Sequence, residues 1–196
     1  MVRNCRLMAQ ILALAAILIA LIVLTGWIFE IAALKTVFPG YVSMKVNTAV
    51  NFLFCGSALL IAAQRVQTPL KKGMGAFLGI CVLLISGITL MEYLTHIPLG
   101  IDELLFRDVN ITYGTSNPGR MAPNTALTFL LMACALIALP RGTRGVRLAQ
   151  LLVMICFFNV LLPTVGYFFH AQVFITVFSK TTLAVHTIIG IYFLIL

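Results

Sequence analysis

Six apolar runs, separated by short polar stretches, occupy almost the whole of this 196-residue chain. They cover about residues 7–29, 46–64, 73–94, 121–139, 148–169 and 181–196. A helix needs ~20 mostly apolar residues to cross a hydrocarbon layer, so the pattern predicts six membrane helices joined as three hairpins. The first run is too long for a signal-peptide core and leads into Trp27 and Glu30 instead of a small-residue cleavage site. It reads as an uncleaved span, with Trp27 as an interfacial anchor. Pro163 should kink the fifth run near its outer end. Residues 99–106 mix leucine, isoleucine and phenylalanine with carboxylates and predict a short interfacial helix. The sixth run is short and has no basic stop, which leads to the expectation that the chain is a fragment of a protein continuing into the cytoplasm.

The polar positions between the runs repeat. Met44-Lys45-Val46-Asn47-Thr48-Ala49 returns as Met121-Ala122-Pro123-Asn124-Thr125-Ala126 and, more loosely, as Leu183-Ala184-Val185-His186-Thr187-Ile188. Each copy opens an apolar run. Ahead of each copy, another run ends in an aromatic residue with a polar residue three positions on: Trp27 with Glu30, Tyr93 with His96, Tyr167 with His170. An offset of three puts both members of a pair on one helical face. Self-similarity of this kind marks a repeated structural unit: apolar helix, aromatic exit, loop, Asn-Thr-Ala entry, apolar helix.

Composition narrows the class. Hydrophobic residues make up 62% of the chain and charged ones 9%, against ~25% charged in soluble domains. An all-α integral membrane protein follows, with the lipid bilayer as its surroundings. The net charge of +8 does not point to nucleic acid, because the basic residues are scattered through short loops, where topology explains them. Arg3, Arg6, Arg65, Lys71, Lys72, Arg141, Arg144 and Arg147 fall on the side of the N-terminus and the even loops; Lys35, Lys45, Arg107, Arg120 and Lys180 fall on the other. The excess of positive charge places both termini on the cytoplasmic side of a multi-pass membrane protein. The five cysteines have no paired spacing and read as packing residues.

Candidate chemistry gathers at the outer helix ends. If the three units surround a pseudo-threefold axis, Asn47, Asn124, His186, Glu30, His96 and His170 form a ring at the rim. The plainer reading is that Asn and Thr cap the helix starts. Asp102, Arg107 and Arg120 in the long third loop, with Asn47, Asn124 and His186, are the candidate ligand-binding residues. His96, His170 and His186 are candidate ligands for haem b or for a zinc, copper or iron ion, although no HxxxH or HxxE spacing supports them. No phosphate-binding glycine loop, nucleophile elbow or carboxylate pair within a span points to an enzyme.

Gly100-Ile101-Asp102-Glu103-Leu104-Leu105-Phe106-Arg107-Asp108, the run from Pro118-Gly119-Arg120 through the second copy of the repeat, and the first copy together resemble the N-terminal membrane sensor module of bacterial signalling proteins. Such modules precede PAS domains, histidine kinases or diguanylate cyclases. The resemblance spans about residues 26–196. It implies a sensory role in signal transduction, an output domain after the sixth span, and dimerisation through that domain. It names no ligand, and His96 and His170 stand outside its pattern. Two alternatives remain: a cytochrome-b-like module binding haem or quinone, and a stand-alone small transporter or scaffold.

Overall fold

The computed structural model describes residues 2–36, 42–108, 117–169 and 183–196. Among these the architecture is all helical: α1 (Val2–Ile28), a single turn α2 (Ala32–Lys35), α3 (Val46–Ala62), α4 (Pro69–Thr95), α5 (Pro123–Ala138), a 3-10 turn (Leu139–Arg141), α6 (Gly142–Phe168) and α7 (Val185–Ile195). Three stretches are long and apolar enough to cross a membrane: Arg3–Ile28, Pro69–Thr95 and Pro123–Phe168. The last of these is a hairpin, since α5 and α6 pack against each other. The turn between them is tight: a Cβ on Gly145 would lie 2.0 Å from the carbonyl oxygen of Ala138, so only glycine lets the two backbones pass. α3 and α7 are shorter apolar helices.

Burial separates two classes of helix. α3 buries nine of its 17 residues, α5 nine of 16 and α7 six of 11, whereas α4 buries five of 27 and α6 six of 27. The helices that open with the repeat are therefore inner, and the preceding ones are outer. α1 packs on α3 and α7, α4 on α3 and α5, and α6 on α5 and α7, while α3 touches both α5 and α7. Each outer helix thus lies in the groove between two inner ones, and the bundle has a pseudo-threefold axis.

The axis is built in layers from equivalent positions of the three copies. Met44, Met121 and Leu183 form the outermost layer, then Thr48, Thr125 and Thr187, then Phe52, Phe129 and Ile191, then Cys55, Met132 and Leu194. All twelve are buried. The steps of four, four and three residues follow one face of an α-helix. Phe52 and Phe129 meet edge to face with centroids 4.9 Å apart, a favoured aromatic geometry. The third copy makes room with Gly190, where a Cβ would come within 2.7 Å of the Phe52 ring.

Several expectations are corrected. No helix forms over 99–106; the loop is held to the bundle through Asn47, Glu92 and Arg120. α7 begins at Val185, later than residue 181, and residues 181–182 lie outside the described ones. Trp27 is buried among the helices at the end of α1.

Candidate functional site

The three aromatic residues have one job. Trp27 Nε1 donates to the Met44 carbonyl at 2.9 Å, Tyr93 Oη to the Met121 carbonyl at 3.1 Å, and Tyr167 Oη to the Leu183 carbonyl at 2.5 Å. Each acceptor is the first residue of a repeat copy, buried to 1% exposure. In lipid no water can satisfy such a carbonyl, so each outer helix supplies a donor to the mouth of the inner helix that follows it. The polar partners Glu30 and His96 do not share a helical face with their aromatics. Both have positive φ, 55° and 58°, and they end the helices. Ile31 N reaches back to the Gly26 carbonyl at 2.9 Å, the i−5 bond of a Schellman motif with Glu30 as its left-handed residue. Glu30 and His96 are exposed, and His170 lies outside the described residues.

The Asn and Thr positions are not caps. The capping positions are Lys45, Ala122 and Ala184, none with a side-chain cap bond. Asn47 instead donates from Nδ2 to the Ile101 carbonyl at 3.0 Å, which pins the long loop. Asn124 offers its backbone carbonyl to Asn159 Nδ2 at 3.0 Å and to Thr128 Oγ1 at 2.8 Å. His186 is buried with both ring nitrogens unpartnered; the Lys35 backbone lies beside it outside hydrogen-bond geometry. The residues that face the axis are one position later: Thr48, Thr125 and Thr187 line, with Met44, Met121 and Leu183, a cavity of ≈ 10 Å³ at the mouth, about the room one water needs.

Beside this cavity the long loop is held by buried ion pairs. Arg120 Nε lies 2.5 Å from Asp102 Oδ2 and 3.4 Å from Glu92 Oε2. The Tyr93 ring lies under the guanidinium at 5.3 Å. Lys45 Nζ lies 2.5 Å from Asp108 Oδ2, which also accepts from Gly119 N at 3.3 Å. Glu92 Oε1 accepts from Leu99 N at 2.6 Å, and Glu103 Oε1 from Asp108 N at 3.1 Å. Burial pushes the Asp102 carboxyl up from its ordinary 3.8 to about 6, against the hydrogen bond and charge of Arg120, with a further push from Glu92. Of the loop residues expected to act, Asp102 and Arg120 are in this cluster, and Arg107 is not: it is exposed. Lys45, Glu92 and Asp108 belong to it and were not anticipated. Glu92 carried a signal, as the lone acid inside an apolar run, where an ionisable side chain needs a partner.

No three His, Cys, Asp and Glu side chains among the described residues converge as metal ligands. His186 is buried and His96 exposed. The chain matches no family model, no curated protein and no solved structure. What the fold and site define is a class: a helical membrane protein with a pseudo-threefold core, closed at one end by a clasped loop.

Proposed function

We propose that the chain is the membrane-embedded input module of a bacterial signal-transduction protein, with six spans as three hairpins and both termini on the cytoplasmic side. In this reading α3 and α7 cross the bilayer together with α1, α4, α5 and α6, and the clasped mouth faces outward. The observation that carries it is the place of α7. Leu183 just before it, and its own Thr187, Ile191 and Leu194, take part in every layer of the axis, from the mouth to the opposite end. A change in how the mouth closes therefore acts on α7, the helix that leads toward a kinase or cyclase output domain, through packed layers that shift as a unit. The basic ends support the orientation: Arg3, Arg6 and Arg65 line one cleft at the end away from the clasp.

The test joins residues 1–196 to a histidine-kinase core and measures phosphorylation in membranes. Variants at the mouth, Asp102→Asn and Thr187→Val, are expected to change kinase output while inserting to the same level as the parent. Equal output from all of them overturns the input-module reading. An absorption spectrum of the purified protein checks the haem alternative, which requires a Soret band.

A further inference from the structure

Among the described residues, the buried clasp is one proton short of electrical and hydrogen-bond balance. Glu92, Asp102 and Asp108 supply three buried carboxylates, and Lys45 and Arg120 two buried cations. Two carboxylate oxygens in the clasp, Glu92 Oε2 and Asp102 Oδ1, are buried without a hydrogen-bond partner. Both carboxylates approach the same atom, Arg120 Nε, whose single hydrogen goes to Asp102 Oδ2 at 2.5 Å, leaving Glu92 Oε2 at 3.4 Å. Leaving buried acceptors unpaired is costly, and more so when they are charged. Two like charges at one site favour protonation of one of them.

We propose that Glu92 and Asp102 form a shared-proton site on Arg120, which takes up one proton as the mouth side acidifies and so ties the long loop more tightly to α4. The proton lies between a carboxyl O–H of one residue and a carboxylate oxygen of the other, supplying the missing hydrogen and bringing the buried set from a net −1 to zero. Among the described residues, the other charged groups around it are committed or exposed. Lys45 is paired with Asp108, Glu103 is exposed and holds Asp108 N, and His96 and Arg107 are exposed. Tyr93 stacks on Arg120 and donates to Met121. His186, at the third mouth, is an imidazole and so is spectroscopically distinct. The upward displacement of Asp102 by burial and by Glu92 agrees with this arrangement. The site does not depend on the input-module reading; only its use as a signal would.

The experiment is infrared difference titration of the full chain in lipid nanodiscs between pH 7.5 and pH 4.5, reading the protonated-carboxyl band. One carboxyl is expected to protonate with a midpoint near 6. Glu92→Gln keeps an acceptor for Leu99 N and removes the neighbouring charge, so the midpoint should fall by at least one pH unit, a tenfold loss of proton affinity. No carboxyl uptake above pH 5 in the parent, or an unchanged midpoint in Glu92→Gln, overturns the proposal. Should Glu92→Gln fail to fold, hydrogen exchange in the parent decides. After correction for the intrinsic rate, amides of 99–108 should exchange at least threefold more slowly at pH 5 than at pH 7.5, and equal protection overturns the proposal.

Discussion

Replacing Arg120 with glutamine should destabilise the protein in a way that depends on pH. The substitution removes one of two buried cations and leaves Glu92, Asp102 and Asp108 facing Lys45 alone. A contact pair at ~4 Å and an effective dielectric of ~20 contributes about 4 kcal/mol, and breaking a buried pair typically costs 3–5 kcal/mol. The variant has an escape. It can protonate Asp102, whose ordinary pKa is 3.8, at a cost of about 4 kcal/mol at pH 7 and about 1.6 kcal/mol at pH 5. Its penalty therefore falls by about 2.7 kcal/mol over that interval. The parent also gains over the same interval. Its Asp102 has a folded pKa raised to about 6, so the folded state holds a proton that the unfolded state lacks between about pH 4 and 6, and stability rises as pH falls through 6. That gain is about 1 kcal/mol between pH 7 and 5. The gap between variant and parent should thus shrink from about 4 to about 2–3 kcal/mol. Trp27 is the sole tryptophan and is buried at the mouth with Phe106 6.5 Å away, so its fluorescence reports unfolding in denaturant at both pH values. A gap below 1 kcal/mol at pH 7, or one that does not change with pH, refutes the reasoning.

The three aromatic ties should be equivalent in kind: Trp27→Phe, Tyr93→Phe and Tyr167→Phe each strand a buried carbonyl and should each cost about 1–3 kcal/mol, read by thermal unfolding followed by circular dichroism. Gly190→Ala pushes a methyl toward the Phe52 ring and should cost about 1–3 kcal/mol by overpacking; Phe52→Leu in the same chain should recover part of it, a coupling that a double-mutant cycle measures. Cys5 is exposed near the N-terminus, whereas Cys55 and Cys156 are buried. An impermeant maleimide should therefore label Cys5 in inverted membrane vesicles and leave it unlabelled in intact cells; labelling of Cys5 from outside the cell refutes the proposed orientation.

The hydrophobic pattern by itself determined the helices and their pairing in sequence. Apolar runs of that length have few other structures open to them, because a backbone in lipid must satisfy its own hydrogen bonds. It also determined the repeat and its register: Met44, Met121 and Leu183 do fall in one layer, as their alignment requires. What each repeated residue does was decided only by the tertiary structure. A spacing of three is a shared face while the helix continues, but Glu30 and His96 leave the helix with positive φ, which no periodicity reveals. Asn47 looked like a cap and became a strut to Ile101, because the long loop folds back over its helix start. The split of the charged loop residues into buried Asp102, Asp108 and Arg120 and exposed Arg107 depends on which side chains that loop turns toward Glu92 and Lys45. Those partners lie 63 residues apart in the case of Lys45 and Asp108. Charge alone carries no distance information along a chain; the packing of inner against outer helices supplies it.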